Sequence, residues 1–81
     1  EDRYNEYIMT GLRTIWGISL DRIETEFGDK FLNYLVQQAD KFLADDLLSI
    51  ENNILKTTRK GKFLADGIAS DLFMLNSFQH L

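Results

Sequence analysis

The chain has 81 residues and a formal net charge of −4, which fits one acidic domain with a single modest core. It contains no cysteine, so disulfides, thiolate nucleophiles, cysteine-type zinc sites and iron–sulfur ligation by these residues are excluded. No apolar run approaches the roughly 20 residues that cross a bilayer, so we expect no membrane span.

A first helix is predicted from about Tyr4, because apolar residues recur at helical spacing in the segment that follows. Gly17 is expected to end this helix in a left-handed conformation. Trp16 is close to two isoleucines and is interpreted as an anchor in the core rather than as a stacking platform. The apolar stripe of the helix consists of Ile8, Leu12 and Ile15.

A second, short helix is predicted directly afterwards. Ser19 is its expected N-cap, since a serine side chain can accept a hydrogen bond from a free amide of the first turn. Ile18 and Ile23 stand at the two positions of a hydrophobic staple around that cap. Phe27-Gly28 is expected to close the helix.

The third helix carries the strongest periodic signal in the chain, from Asp29 to about Ala44. Asp29 is its expected cap. Its apolar stripe consists of Phe31, Leu32, Leu35, Ala39, Phe42 and Leu43.

After about Leu47 the apolar period becomes alternating, and Asn52-Asn53 is a plausible two-residue hairpin turn because asparagine tolerates positive φ. Thr58 is expected to cap a closing helix, in which Gly67 indicates either close packing or mere tolerance. The stripe of that helix is Leu64, Ile68, Leu72 and Leu75. The predicted fold is therefore mainly α with a small β-hairpin, in the order α-α-α-β-β-α, and winged-helix-like.

Two runs of residues resemble a known family. The segment from Arg3 to Arg13 (RYNEYIMTGLR), followed by Gly17-Ile18, is similar to the opening of the C-terminal domain of oxygen-independent coproporphyrinogen III oxidases and the related radical-SAM haem chaperones. The ending of that domain is resembled by Leu47-Leu48, a hairpin, Thr58-x-x-Gly61, and Phe63-Leu64-Ala65-Asp66. There are two departures: Asp46 stands where the family usually has glycine, and Thr57 stands where an apolar residue is usual.

The resemblance implies that residues 1–81 are one C-terminal accessory domain of a larger cytoplasmic protein, and the missing initiator Met agrees with a fragment. The parent would carry an upstream barrel with a 4Fe-4S cluster and S-adenosylmethionine. It would act on a porphyrinogen or carry haem, and the compact Arg3-Tyr4-Asn5-Glu6 opening is closer to the haem-carrying branch. This domain would cover or complete the substrate side of the barrel, without catalytic, cofactor-binding or metal-binding residues of its own.

Arg3, Glu6 and Arg13 are the candidate functional residues. Their spacing places all three on one face of the first helix, where they can contact the barrel or bind porphyrin propionates through a guanidinium fork. The alternative is a solvated helix face with surface ion pairs of little energetic value. His80, the single histidine, can in principle ligate haem, but it lies near the C-terminus, where residues are often poorly ordered, so we predict no metal site.

The alternative function is a winged-helix DNA-binding domain or a plain protein-interaction module. The third helix would then present Asn33, Tyr34, Gln37 and Lys41 to a groove of DNA. Its segment is net acidic, however, and the one basic cluster of the chain, Arg59, Lys60 and Lys62 with Lys56, is small. We therefore expect no nucleic-acid partner.

Overall fold

A computed structural model describes residues 2–74 of the chain, and helices form most of this part. The elements in chain order are α1 (Asp2–Arg13), β1 (Ile18–Ser19), α2 (Leu20–Phe27), α3 (Asp29–Ala44), β2 (Leu48–Glu51), β3 (Ile54–Thr57), a 3-10 turn (Lys62–Leu64) and α4 (Ala65–Leu72). The predicted fold class, with a hairpin between the third and fourth helices, is confirmed. Leu75 and His80 lie outside the described residues.

The three strands form an antiparallel sheet in the order β1-β3-β2. The hairpin strands pair Leu48 with Thr57 and Ile50 with Leu55. On the other side of β3, Ile18 pairs with Leu55. Strand β1 was not predicted, because two residues are too few to show an alternating pattern. Its place between α1 and α2 completes the winged-helix layout.

The hairpin turn confirms the interpretation of the two asparagines. Asn52 and Asn53 have φ angles of 53° and 63°, the pair of positive values that a type I′ turn requires. The turn is also tied to the start of α2. The backbone oxygen of Asn53 accepts a 3.0 Å hydrogen bond from the amide of Leu20, and the side-chain amide of Asn53 donates to Asp21 at 2.7 Å.

One core joins all four helices to the sheet. Tyr4 lies in its aromatic part, with ring centroids 5.7 Å from Phe27 and 5.0 Å from Phe31. The predicted N-cap of α2 is confirmed, since the Ser19 hydroxyl accepts from the amide of Arg22 at 3.1 Å. The buried apolar residues of the core are Tyr4, Ile8, Leu12, Ile18, Leu20, Ile23, Leu35, Ala39, Leu48, Leu55, Ala65, Ile68, Ala69, Leu72 and Met74.

The end of α1 differs from the prediction. The helix stops at Arg13, and Gly17 has the expected positive φ of 71° but lies in the following turn. Ile15 and Trp16 are consequently 79% and 76% exposed, so the assignment of both to the core was wrong. The physical reason is the sheet: the chain must leave the helix for Ile18 to reach β3.

Two predicted caps also need correction. Gly28 is the N-cap of α3, and Asp29 is the first helical residue, with no side-chain cap bond at that end. The hydroxyl of Thr58 accepts from the amide of Gly61 at 3.0 Å, so it caps the turn before the 3-10 segment and not α4. Because α4 begins only at Ala65, Leu64 is 52% exposed and does not belong to the buried stripe.

Asp46 adopts a backbone conformation that favours glycine, with φ of 63°. This explains the glycine that the family resemblance places there. Replacing Asp46 with glycine should raise the free energy of unfolding by roughly 0.5–1 kcal/mol, measured by urea denaturation. Asp45→Gly is the matched control, because it removes the same charge beside the end of α3 at a φ of −88°. It should not stabilise through the backbone, and equal effects of the two changes would contradict this account.

Gly61 and Gly67 form a second matched pair. A Cβ on Gly61 would overlap the backbone oxygen of Leu47, whereas a Cβ on Gly67 would meet nothing within 4 Å. We expect Gly61→Ala to lower the free energy of unfolding by about 1–3 kcal/mol. Gly67→Ala, inside α4, should raise it by up to about 1 kcal/mol. Thermal or urea unfolding of the two variants measures both, and a stable Gly61→Ala variant would contradict the close approach.

Candidate docking site

The opening motif on α1 mainly anchors the fold. The Tyr4 hydroxyl donates to the backbone oxygen of Leu72 at 3.0 Å, and the Asn5 side chain bonds both the amide and the oxygen of Met74, at 2.8 and 3.1 Å. The Tyr7 hydroxyl accepts from the amide of Ser19 at 2.9 Å. Burial raises the pKa of Tyr4 well above its ordinary value, with a smaller contribution from nearby Tyr34, so the hydroxyl remains a donor.

Two of the three glycines of the resemblance, Gly11 and Gly61, permit close approach of chain segments. A Cβ on Gly11 would lie 2.6 Å from Cγ1 of Ile18, so its absence lets α1 approach the turn that leads into β1. Gly61 does the same for the chain at Leu47, where the Thr58 hydroxyl also donates to the backbone oxygen of Asp46 at 2.7 Å. Much of the family signature is therefore explained by folding alone.

The three candidate functional residues on α1 do not pair with one another within residues 2–74. Arg3 contacts Glu26 of α2 at 3.1 Å. At the other end of α1, Arg13 forms a two-point pair with Asp66 of α4, at 2.9 and 3.1 Å. Glu6 is exposed. The shared helix face thus carries two separate links, one to each neighbouring helix.

The Arg13–Asp66 pair perturbs both of its members. Its hydrogen bonds, and then its charges, lower the pKa of the Asp66 carboxyl below its ordinary value and raise the pKa of Arg13. Both side chains are largely exposed, so the pair fixes geometry more than it adds stability. It holds the last turn of α1 against the first turn of α4.

Beside this pair lies a group of exposed apolar side chains, which we call the docking face: Ile15, Trp16, Phe63 and Leu64. Phe63 is 91% exposed and Leu64 is 52% exposed. Large apolar side chains exposed near one another on a globular domain are typical of an interaction site. Sequence reasoning missed this face. The signal available for Phe63 was its position outside the apolar stripe predicted from Leu64 onward. Ile15 falls on the predicted apolar stripe of α1 and gave no such signal.

An open groove of about 960 Å³ lies between the end of α1, the end of β3 and the start of α4. Three members of the docking face line it, namely Ile15, Phe63 and Leu64. Leu12 and Ile68 are buried at its base. Two acidic side chains line it, Asp66 and Asp71, and each is paired, Asp66 with Arg13 and Asp71 with Lys41. Three further cations line it, which we call the basic rim: Lys56, Arg59 and Lys62.

Helix α3 is the recognition helix of the DNA-binding alternative, so the exposure of its polar side chains bears on that alternative. Asn33, Gln37 and Lys41 are exposed there, as the DNA-binding alternative requires, while Tyr34 instead donates from its hydroxyl to the backbone oxygen of Phe73 at 2.8 Å. Lys41 lies 3.5 Å from Asp71. Of the two lysines of α3, Lys41 is paired, whereas Lys30 has no ion pair within residues 2–74.

The model of the HemN C-terminal domain family matches residues 1–64, which is most of the chain. The chain belongs to this family. It is thus an accessory domain of the HemN-like radical-SAM proteins, as the opening motif had indicated. The search of curated proteins and the search of solved structures found no match. The matched segment ends at Leu64, so the Arg13–Asp66 pair joins it to the helix that follows.

HemN-like proteins use radical-SAM chemistry, but the residues of this domain do not fit a cluster. The chain has no cysteine to ligate iron. Within residues 2–74 no group of three or more metal-ligating side chains comes together, and no helix there is long and apolar enough to span a membrane.

The Arg13–Asp66 pair should make the stability of the domain depend on pH. Because Arg13 lowers the pKa of Asp66, the pair contributes stability above the pKa of an unfolded aspartate, and this is lost as pH falls through the lower folded value. Arg13→Gln should raise the pKa of Asp66 towards its ordinary value, as measured by NMR titration of the carboxyl carbon. Lys30→Gln removes an equal charge elsewhere and should leave that titration unchanged. An unaltered Asp66 in Arg13→Gln would contradict the pairing.

Proposed function

We propose that this HemN C-terminal domain is an accessory domain of an oxygen-independent coproporphyrinogen III oxidase-like radical-SAM protein, in porphyrin biosynthesis or haem trafficking. It packs against the upstream barrel of the same polypeptide and helps to cover or complete its substrate side. The observation that carries the proposal is the docking face, four large apolar side chains that the fold leaves in solvent.

The docking face suits contact between domains. Ile15 and Trp16 come from the turn after α1, and Phe63 and Leu64 come from the 3-10 turn, so both segments are short and are held by the core behind them. Interfaces between domains of one chain commonly bury about 600–1,500 Å², and a few aromatic anchors provide most of their energy. Trp16 and Phe63 are anchors of that kind.

Among the three candidates on α1, Arg13 is best placed for contact with the barrel, because it is two residues from Ile15 and lines the groove. The guanidinium group of Arg13 already binds both carboxylate oxygens of Asp66. This favours a role for Arg13 in holding the docking face in place over direct binding of a propionate. Arg3 and Glu6 lie nearer the other end of α1, and the proposal assigns them contact with the barrel or with porphyrin propionates there.

The remaining parts of the proposal concern the parent protein. Its barrel provides the 4Fe-4S cluster and S-adenosylmethionine, binds the porphyrinogen or haem, and operates in the cytoplasm. This domain provides no catalytic residue. A nucleic-acid partner is not proposed, because α3 and its flanks are acidic at Asp29, Asp40, Asp45 and Asp46, and the charge of Lys41 is balanced by Asp71.

Polar replacement of the docking face tests the proposal. Phe63→Ser should change the stability of the isolated domain by no more than about 0.5 kcal/mol, because the side chain is already in solvent. In the full-length parent the same change should expose the junction between domains to protease and lower activity. Val36→Ser, an exposed apolar position on α3, is the matched control and should leave both unchanged.

Two results would contradict the proposal. One is a docking face whose amides exchange hydrogen equally fast in the isolated domain and in the parent. The other is tight binding of haem or coproporphyrin by the isolated domain in an absorbance titration, which would place the ligand site here and not on the barrel.

A further inference from the structure

Unpaired positive charge is unevenly distributed over this acidic domain. Nine lysines and arginines are present. Four of them form ion pairs within residues 2–74, namely Arg3, Arg13, Arg22 and Lys41. A fifth, Lys60, donates to the backbone oxygen of Asp45 at 3.3 Å.

The other four cations are Lys30 and the three members of the basic rim. Within the described residues none of these four has a carboxylate within ion-pair distance. The basic rim therefore gathers three of them around one apolar groove. Both carboxylates that line the groove are already paired, so its remaining charge is positive although the whole chain is at −4.

We infer that the groove receives an acidic, apolar segment of the parent polypeptide, whose side chains fill the groove while its carboxylates pair with the basic rim. The inference rests on the proposed function and specifies the chemistry of the docked surface. A purely apolar partner would leave Lys56, Arg59 and Lys62 beside a dry interface without counter-charges, which is unfavourable. A partner whose apolar side chains fill the groove and whose carboxylates face the basic rim provides contacts for both.

The test uses hydrogen exchange of the full-length parent, followed by mass spectrometry of peptides that cover residues 12–17 and 61–66. Arg59→Glu and Lys62→Glu should each reduce protection of these peptides by about tenfold, and raised salt should act in the same direction. Lys30→Glu is the matched control, since it reverses one exposed and unpaired charge on α3. Thermal melting of each isolated variant should show an intact fold.

Each of the following outcomes would contradict a different part of the inference. Protection that persists in the Arg59 and Lys62 variants overturns the acidic partner and leaves docking intact. Peptides that are as exposed in the wild-type parent as in the isolated domain overturn the docking proposal and this inference with it. Self-association of the isolated domain through the basic rim, seen by sedimentation, assigns the groove to a second copy. Salt-sensitive binding of a labelled oligonucleotide that requires Arg59 assigns it to phosphate.

Discussion

The pairing of Ile18 and Ser19 with the central strand β3 is the constraint on which the rest of the structure depends. It takes the chain out of α1 after Arg13, since a helix continued through Ile15 could not bring Ile18 beside Leu55. It also requires glycine at position 11, because a side chain there would collide with Ile18. The same departure puts Ile15 and Trp16 into solvent, so the pairing that completes the sheet also creates half of the docking face.

The opening motif of the family illustrates how a signature can be structural and still indicate function. Tyr4 and Asn5 fix the end of α4 by hydrogen bonds to backbone atoms 68 or more residues away along the chain, and Tyr7 fixes the start of α2. These contacts hold the two ends of the domain in register. The docking face needs that register, because its two halves come from segments nearly fifty residues apart. A motif that folds the domain therefore also assembles the surface by which we propose that it acts.

Paired and unpaired cations lie on different parts of the domain. Ion pairs on α1, α2 and α3 neutralise four of the nine cations. Three of the cations that have no ion pair within residues 2–74 lie around the groove. Because surface ion pairs contribute little stability, this arrangement matters more for the choice of partner than for the fold. It separates an acidic α3 from a groove that combines apolar area with positive charge.

The sequence by itself determined the features that depend on residues close together in the chain. Helical periodicity predicted α3, and the cap at Ser19 with its hydrophobic staple predicted α2. Asn52-Asn53 predicted the hairpin turn, and the opening motif predicted the family. Tertiary structure alone decided the end of α1, strand β1, the exposure of Trp16, and the separate partners of Arg3 and Arg13. The physical reason is range: Ile18 meets Leu55, and Arg13 meets Asp66 across 53 residues, so no local pattern contains those contacts.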